Sequence, residues 1–112
     1  MSIMKNIEMA KELVLKDEVE YQKGQIVSKT LIQNESVSIT LFSFDKGEEI
    51  STHASSGDAL VICLDGTGKV VIDGEGYLLT EGMSIVMPSN HPHSVMAIDK
   101  FKMMLVVTFP KK

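Results

Sequence analysis

The chain has 112 residues, one domain by length, and its 44% apolar and 23% charged residues are those of a globular protein. A net charge of −4, with eleven lysines and no arginine, leaves no basic footprint for a nucleic-acid partner, because arginine is the usual fork for phosphates and guanine edges. One cysteine, Cys63, excludes an intrachain disulfide, no apolar run reaches the roughly 18 residues that span a bilayer, and the acid-bearing N-terminus does not read as a signal peptide, so a cytoplasmic protein without membrane contact is expected.

Residues 1–24 are mixed and charged and read as an N-terminal arm, with Leu13, Leu15 and Val19 spaced to seat a helical turn or two on the body. Residues 25–112 then form the folded domain, as short β-rich runs between turn signals. The first run is 25–33. In the second, 36–44, Val37, Ile39 and Leu41 fall on one face while Ser36, Ser38 and Thr40 fall on the other. Residues 59–64 are almost wholly apolar. Residues 69–73 and 77–80 flank Asp73-Gly74-Glu75-Gly76, an Asp-Gly hairpin signal, and Asp65-Gly66-Thr67-Gly68 reads as a second turn of that kind. Runs 83–87, 93–97 and 101–109 follow. About eight short strands with turns every eight to twelve residues predict an all-β sandwich or barrel. The 101–109 run is apolar on both faces, so something besides the interior covers it, either the arm or a second subunit.

Two segments are more specific. Gly47 is followed by five residues and His53, then by Ser55, Ala59 and Gly66. Gly82 is followed by five residues and Pro88, then by Asn90, His93 and Ala97. The pair, joined by a Gly-rich hairpin, resembles the two motifs of the cupin family. Cupins are small antiparallel β-barrels (double-stranded β-helices of jelly-roll type) whose mouth often carries a metal. On that pattern His53 and His93 stand on two of the four ligand positions. Ser55 replaces the second histidine and Ala59 the glutamate; Asn90 replaces a glycine and Ala97 an asparagine. The resemblance implies the barrel, a pocket and a twofold homodimer. It implies no single reaction, because this barrel hosts isomerases, epimerases, dioxygenases and sugar-binding regulators.

The residues leave two functional readings open. Alternation aims His53 and Ser55, then Ala59, Val61 and Cys63, and likewise His93, Val95 and Ala97, at one inner face. In the first reading the pocket binds a small, largely apolar molecule, with His53 and His93 as polar contacts and Ser55 and Ala59 in its wall. No catalytic residue is assigned, since no nucleophile–base pair stands out. In the second, His53 and His93 hold a divalent metal (iron, manganese, nickel or zinc) in an oxygenase or isomerase. Two imidazoles fall short of a catalytic zinc site or a two-histidine, one-carboxylate iron site. A third ligand is then needed. Asp58 has the wrong parity unless Gly57 breaks the strand, and is otherwise a solvated turn residue; His91, two residues before His93 across Pro92, is otherwise a rim histidine. Cys63 is either a thiolate donor or a small buried hydrophobe. Of the eight methionines, Met83, Met87, Met96, Met103 and Met104 lie in strand runs, as core filling or as apolar lining of the pocket.

Overall fold

The computed structural model describes residues 3–111. Seven strands form one antiparallel sheet: β1 (Ile26–Gln33), β2 (Val37–Phe44), β3 (Glu49–His53), β4 (Asp58–Ile72), β5 (Glu75–Thr80), β6 (Ser84–Met87) and β7 (His93–Thr108). The long strands β4 and β7 organise it, pairing from Asp58↔Thr108 to Ile72↔His93. Midway the register slips twice, between Cys63 and Asp65 and between Gly66 and Gly68, and such bulges bend a sheet. Each long strand therefore serves two half-sheets. One is β1-β2-β7-β4-β6, using 101–108 of β7 and 58–63 of β4. The other is β3-β7-β4-β5, using 93–97 and 68–72. Both contribute to one core, in which Phe44, Val61, Phe101 and Met103 meet Val70 and Val95. The all-β antiparallel architecture is as expected, but hydrogen bonding does not close into a ring.

Two expectations fail at the bend. The 65–68 stretch is not a turn but lies inside β4, and the 93–97 and 101–109 runs are not separate strands but parts of β7, which ends at Thr108. Gly66 does adopt positive φ, +74°, but spends it in a bulge, where a Cβ would run into the Lys100 carbonyl. Gly68 is needed for space, since a Cβ there would sit 2.6 Å from the Phe101 ring. The Asp73-Gly74 hairpin forms as expected, with φ of 52° and 81°, the type I′ combination.

Among its described residues the arm contains a single 3-10 turn, Leu15–Glu18. Val19 is buried with Leu31 and Leu41, and Met4, Ile7, Ile39 and Met104 pack on the same cluster. The arm thus covers the outer face of β1, β2 and β7, which explains why 101–109 reads apolar on both sides. Polar ties fix it. Ser43 Oγ donates to the Glu20 carbonyl at 2.6 Å, and the Tyr21 hydroxyl donates to Asp65 at 2.7 Å. Lys102 Nζ donates to the Lys16 carbonyl at 2.6 Å and lies 4.7 Å from the Tyr21 ring centre. Outside that cluster, Val86, Leu60 and Val106 stand opposite one another across β6, β4 and β7 and keep exposed surface. Among the described residues, no helix is long and apolar enough to cross a membrane.

Candidate functional site

A strand that the sequence reading leaves unassigned builds the site. β3 pairs with the first half of β7, and His53 falls directly opposite His93. Facing residues on antiparallel strands carry Cβ atoms about 4.5–5.5 Å apart. The two ring centres are 4.5 Å apart, edge to face at 70°. Between Ile50↔Val95 and His53↔His93, β3 advances three residues while β7 advances two. The extra residue is a bulge, and it resets the parity of the strand. Ile50 and His53 therefore both face inward, although strict alternation would have turned one of them out.

Both imidazoles line a cavity of about 240 Å³ between the half-sheets. Phe42, Ile50, Met87, Met103, Leu105 and Phe109 supply most of its wall, and Ala59 leaves room that a larger side chain would fill. Among the described residues the polar lining is His53, Ser55 and His93, with no carboxylate, lysine or cysteine. His53 Nδ1 lies 3.0 Å from the Ser51 carbonyl, and His93 Nδ1 lies 3.0 Å from the His91 carbonyl. A carbonyl only accepts, so each Nδ1 carries a proton, and a ring with one proton presents its lone pair at Nε2. His93 is 3% exposed, whereas His53 sits at the open edge. Burial pulls the His93 pKa below its ordinary value; the His91 carbonyl opposes this, and the neighbouring His53 adds a smaller push downward.

The other candidates separate. Ser55 lines the cavity, but its Oγ accepts the Gly57 N–H at 3.1 Å, a local turn bond. Asp58 lies on the opposite face, where its carboxylate accepts the Ser89 N–H at 2.8 Å. His91 is on the surface, with Nδ1 2.6 Å from Asp73. Neither reaches the histidine pair. Cys63 is buried in the core, and burial pushes its thiol up to about 11, far from a thiolate. Met87 and Met103 line the cavity, Met104 packs under the arm and Met83 is exposed. Among the described residues, no three of His, Cys, Asp or Glu converge as a metal cluster would require. The protein thus offers two imidazole donors, which does not fit a closed zinc site or a two-histidine, one-carboxylate iron site. Phe42 and Ile50 escaped the sequence reading. Phe42 is signalled by Phe42-Ser43-Phe44, which continues β2's alternation on the inner face.

A family model described as a cupin domain matches residues 40–109, the stretch that holds both histidines and the cavity wall. This chain belongs to the cupin family. Among curated proteins, none matches it. Solved structures do. Over 100% of its length the cupin is similar to a conserved protein of unknown function from Streptococcus pyogenes, with 46% identity, a TM-score of 0.97 and 98% of that chain covered. A cupin superfamily protein from Desulfitobacterium hafniense DCB-2 matches 97% of this chain and 100% of its own, at 28% identity and a TM-score of 0.92. A cupin 2 conserved barrel domain protein from Leptotrichia buccalis matches 83% of this cupin and 45% of its own length, at 44% identity and a TM-score of 0.81. The first match takes in the arm as well as the sheet.

Proposed function

We propose that this cupin is a small-molecule binding protein whose cavity takes a small, largely apolar molecule, with His53 and His93 as the polar contacts. The observation that carries the reading is a pair of facing imidazoles, one buried and one at the open edge, in a chamber whose lining is otherwise apolar apart from Ser55. Concave apolar sites with a few placed polar groups are the usual form of small-molecule sites. The test is a thermal-shift and NMR screen of fragment-sized apolar molecules against the wild type and Ala59→Leu, which fills the chamber. Hits that raise Tm, shift resonances of the wall and vanish in Ala59→Leu support the reading. A screen with no hit, or hits indifferent to the filled chamber, refutes it.

One observation favours a second reading, a metal-dependent enzyme. Histidines that ligate metals usually donate their second nitrogen to a carbonyl or carboxylate, and both Nδ1 atoms here do so. Elemental analysis of protein purified without a chelating tag separates the two. Near-stoichiometric iron, manganese, nickel or zinc, lost in His53→Ala or His93→Ala, overturns the binding-protein reading.

We also propose that the cupin works as a homodimer. The apolar row Val86, Leu60 and Val106 on the outer face supports this, with Val86 54% exposed. Light scattering that finds a monomer at working concentrations, or a dimer indifferent to Val86→Glu, rejects that face as the interface.

A further inference from the structure

We infer that the molecule held by this cavity is a small neutral aromatic carrying one hydrogen-bond donor, a compound of the phenol class, and not a carboxylate, a phosphate ester or a sugar. The inference rests on the cavity being a ligand site and goes on to name its ligand class.

The polarity of the two imidazoles decides the first half. Both Nδ1 protons are spent on backbone carbonyls, of Ser51 and His91, at 3.0 Å each. What a ring with one proton has left to offer is therefore acceptor capacity at Nε2. For His93 that atom remains open. Among the described residues the ring makes no hydrogen bond beyond the one at Nδ1, yet no buried side-chain polar atom lacks a partner. The residue is 3% exposed, so what opening it has lies on the chamber that it lines. An acceptor needs a donor, and an unmet acceptor in an apolar site costs a ligand affinity.

Charge and composition exclude the alternatives. Among the described residues the lining holds no lysine, and the sequence holds no arginine. A carboxylate or phosphate would be desolvated with no fixed cation beside it. A sugar needs a partner for each of several hydroxyls. Here Ser55 is already committed to Gly57, leaving the two imidazoles.

Size and wall chemistry fix the ring. An apolar cavity of roughly 150 Å³ holds benzene, and this one is about 240 Å³, room for one ring and a short substituent. Met87 and Met103 together with Phe42 and Phe109 form the wall. Thioether–aromatic and offset ring contacts are the favourable interactions such a wall makes with an aromatic guest.

The experiment is a set of NMR titrations at pH 7.5 with four probes: toluene, p-cresol, 4-methylanisole and benzoate. They present one ring with no polar group, a neutral donor, an acceptor alone and a carboxylate. The expected order puts p-cresol first, roughly tenfold tighter than toluene, the ratio that one net hydrogen bond supplies. Methylanisole should bind no tighter than toluene, and benzoate weakest. In His93→Leu the p-cresol advantage over toluene should be lost, and an advantage that survives it overturns the assignment of His93 as the acceptor. Toluene or methylanisole equal to p-cresol, or benzoate tightest, overturns the donor assignment and leaves the apolar cavity standing. Four probes that all fail to shift the wall resonances overturn the ligand site itself, and the inference with it.

Discussion

Acidification should weaken this cupin through one ring. His93 is buried at 3% exposure, and its pKa in the fold lies below the ordinary 6.5. Desolvation is the largest cause; the His91 carbonyl partly offsets it and His53 adds to it. The unfolded chain still takes up the proton near pH 6.5. Between those two values the unfolded state binds a proton that the native state refuses, so unfolding free energy falls as pH falls. The stabilisation is complete above 6.5, declines as pH drops toward the folded pKa, and levels off below it. One proton sets the ceiling at about 1.4 kcal/mol per pH unit. For a domain of this size each kcal/mol corresponds to roughly 4–8 °C in Tm. The groups facing the ring are His53 on β3, the apolar Ile72 on β4 and the His91 carbonyl; among the described residues no carboxylate joins the shared lining to offset the loss. The assay is urea unfolding followed by circular dichroism from pH 7.5 to 5.0, on the wild type and His93→Gln. Glutamine does not titrate, so subtracting its curve removes every other group. The wild type should lose stability relative to His93→Gln as the pH drops below 6.5. Parallel curves across the range would refute the burial argument.

Three further outcomes are expected. Gly68→Ala should cost about 1–3 kcal/mol by overpacking against the Phe101 ring, which has no exposed surface and nowhere to go; a double mutant with Phe101→Leu, measured by chemical denaturation, should cost less than the sum of the two. Tyr21→Phe removes the bond to Asp65 at 2.7 Å and should cost about 1–2 kcal/mol, with earlier hydrogen exchange in residues 15–22 than in the core. Ala59→Glu puts a carboxylate among apolar neighbours beside the imidazoles, so without metal its pKa rises and the variant grows less stable as pH rises above about 4.3. Adding Zn²⁺ should restore it, by about 2.7 kcal/mol at a hundredfold excess over Kd, while the wild type's Tm should barely move under the same addition.

Parity carried much of the fold out of the sequence. His93, Val95 and Ala97 share an inner face, as do Ala59, Val61 and Cys63, because strict alternation needs no knowledge of partners. The Asp73-Gly74 hairpin was legible because its chemistry is local. Features resting on distant partners were not. An Asp-Gly pair signals positive φ, and Gly66 has it, but only the Lys100 backbone opposite makes that conformation a bulge instead of a turn. In β2 the conspicuous apolar triplet points the other way from the site: Ile39 and Leu41 lie under the arm, while Phe42 faces the cavity. β3 was silent because Ile50 is the single large apolar residue between Glu49 and His53, too little for a periodic signal. Its role is visible only from the β7 ladder. Asp58 and His91 show the limit of proximity in sequence. Each neighbours a site residue, and each is drawn away by a closer partner, the Ser89 amide and Asp73.

The irregularity in β3 makes the mouth of the chamber a matter of counting. Three residues span Ile50 to His53 where the opposite strand spends two. Deleting Ser51 would leave two residues facing two, a regular ladder in which His53 still points inward, but the ring would lose the Ser51 carbonyl that holds its Nδ1 proton. Single-residue insertions and deletions here therefore act as substitutions at the binding surface. Length variation along this edge can rewrite what the chamber recognises while the strands that hold it stay as they are.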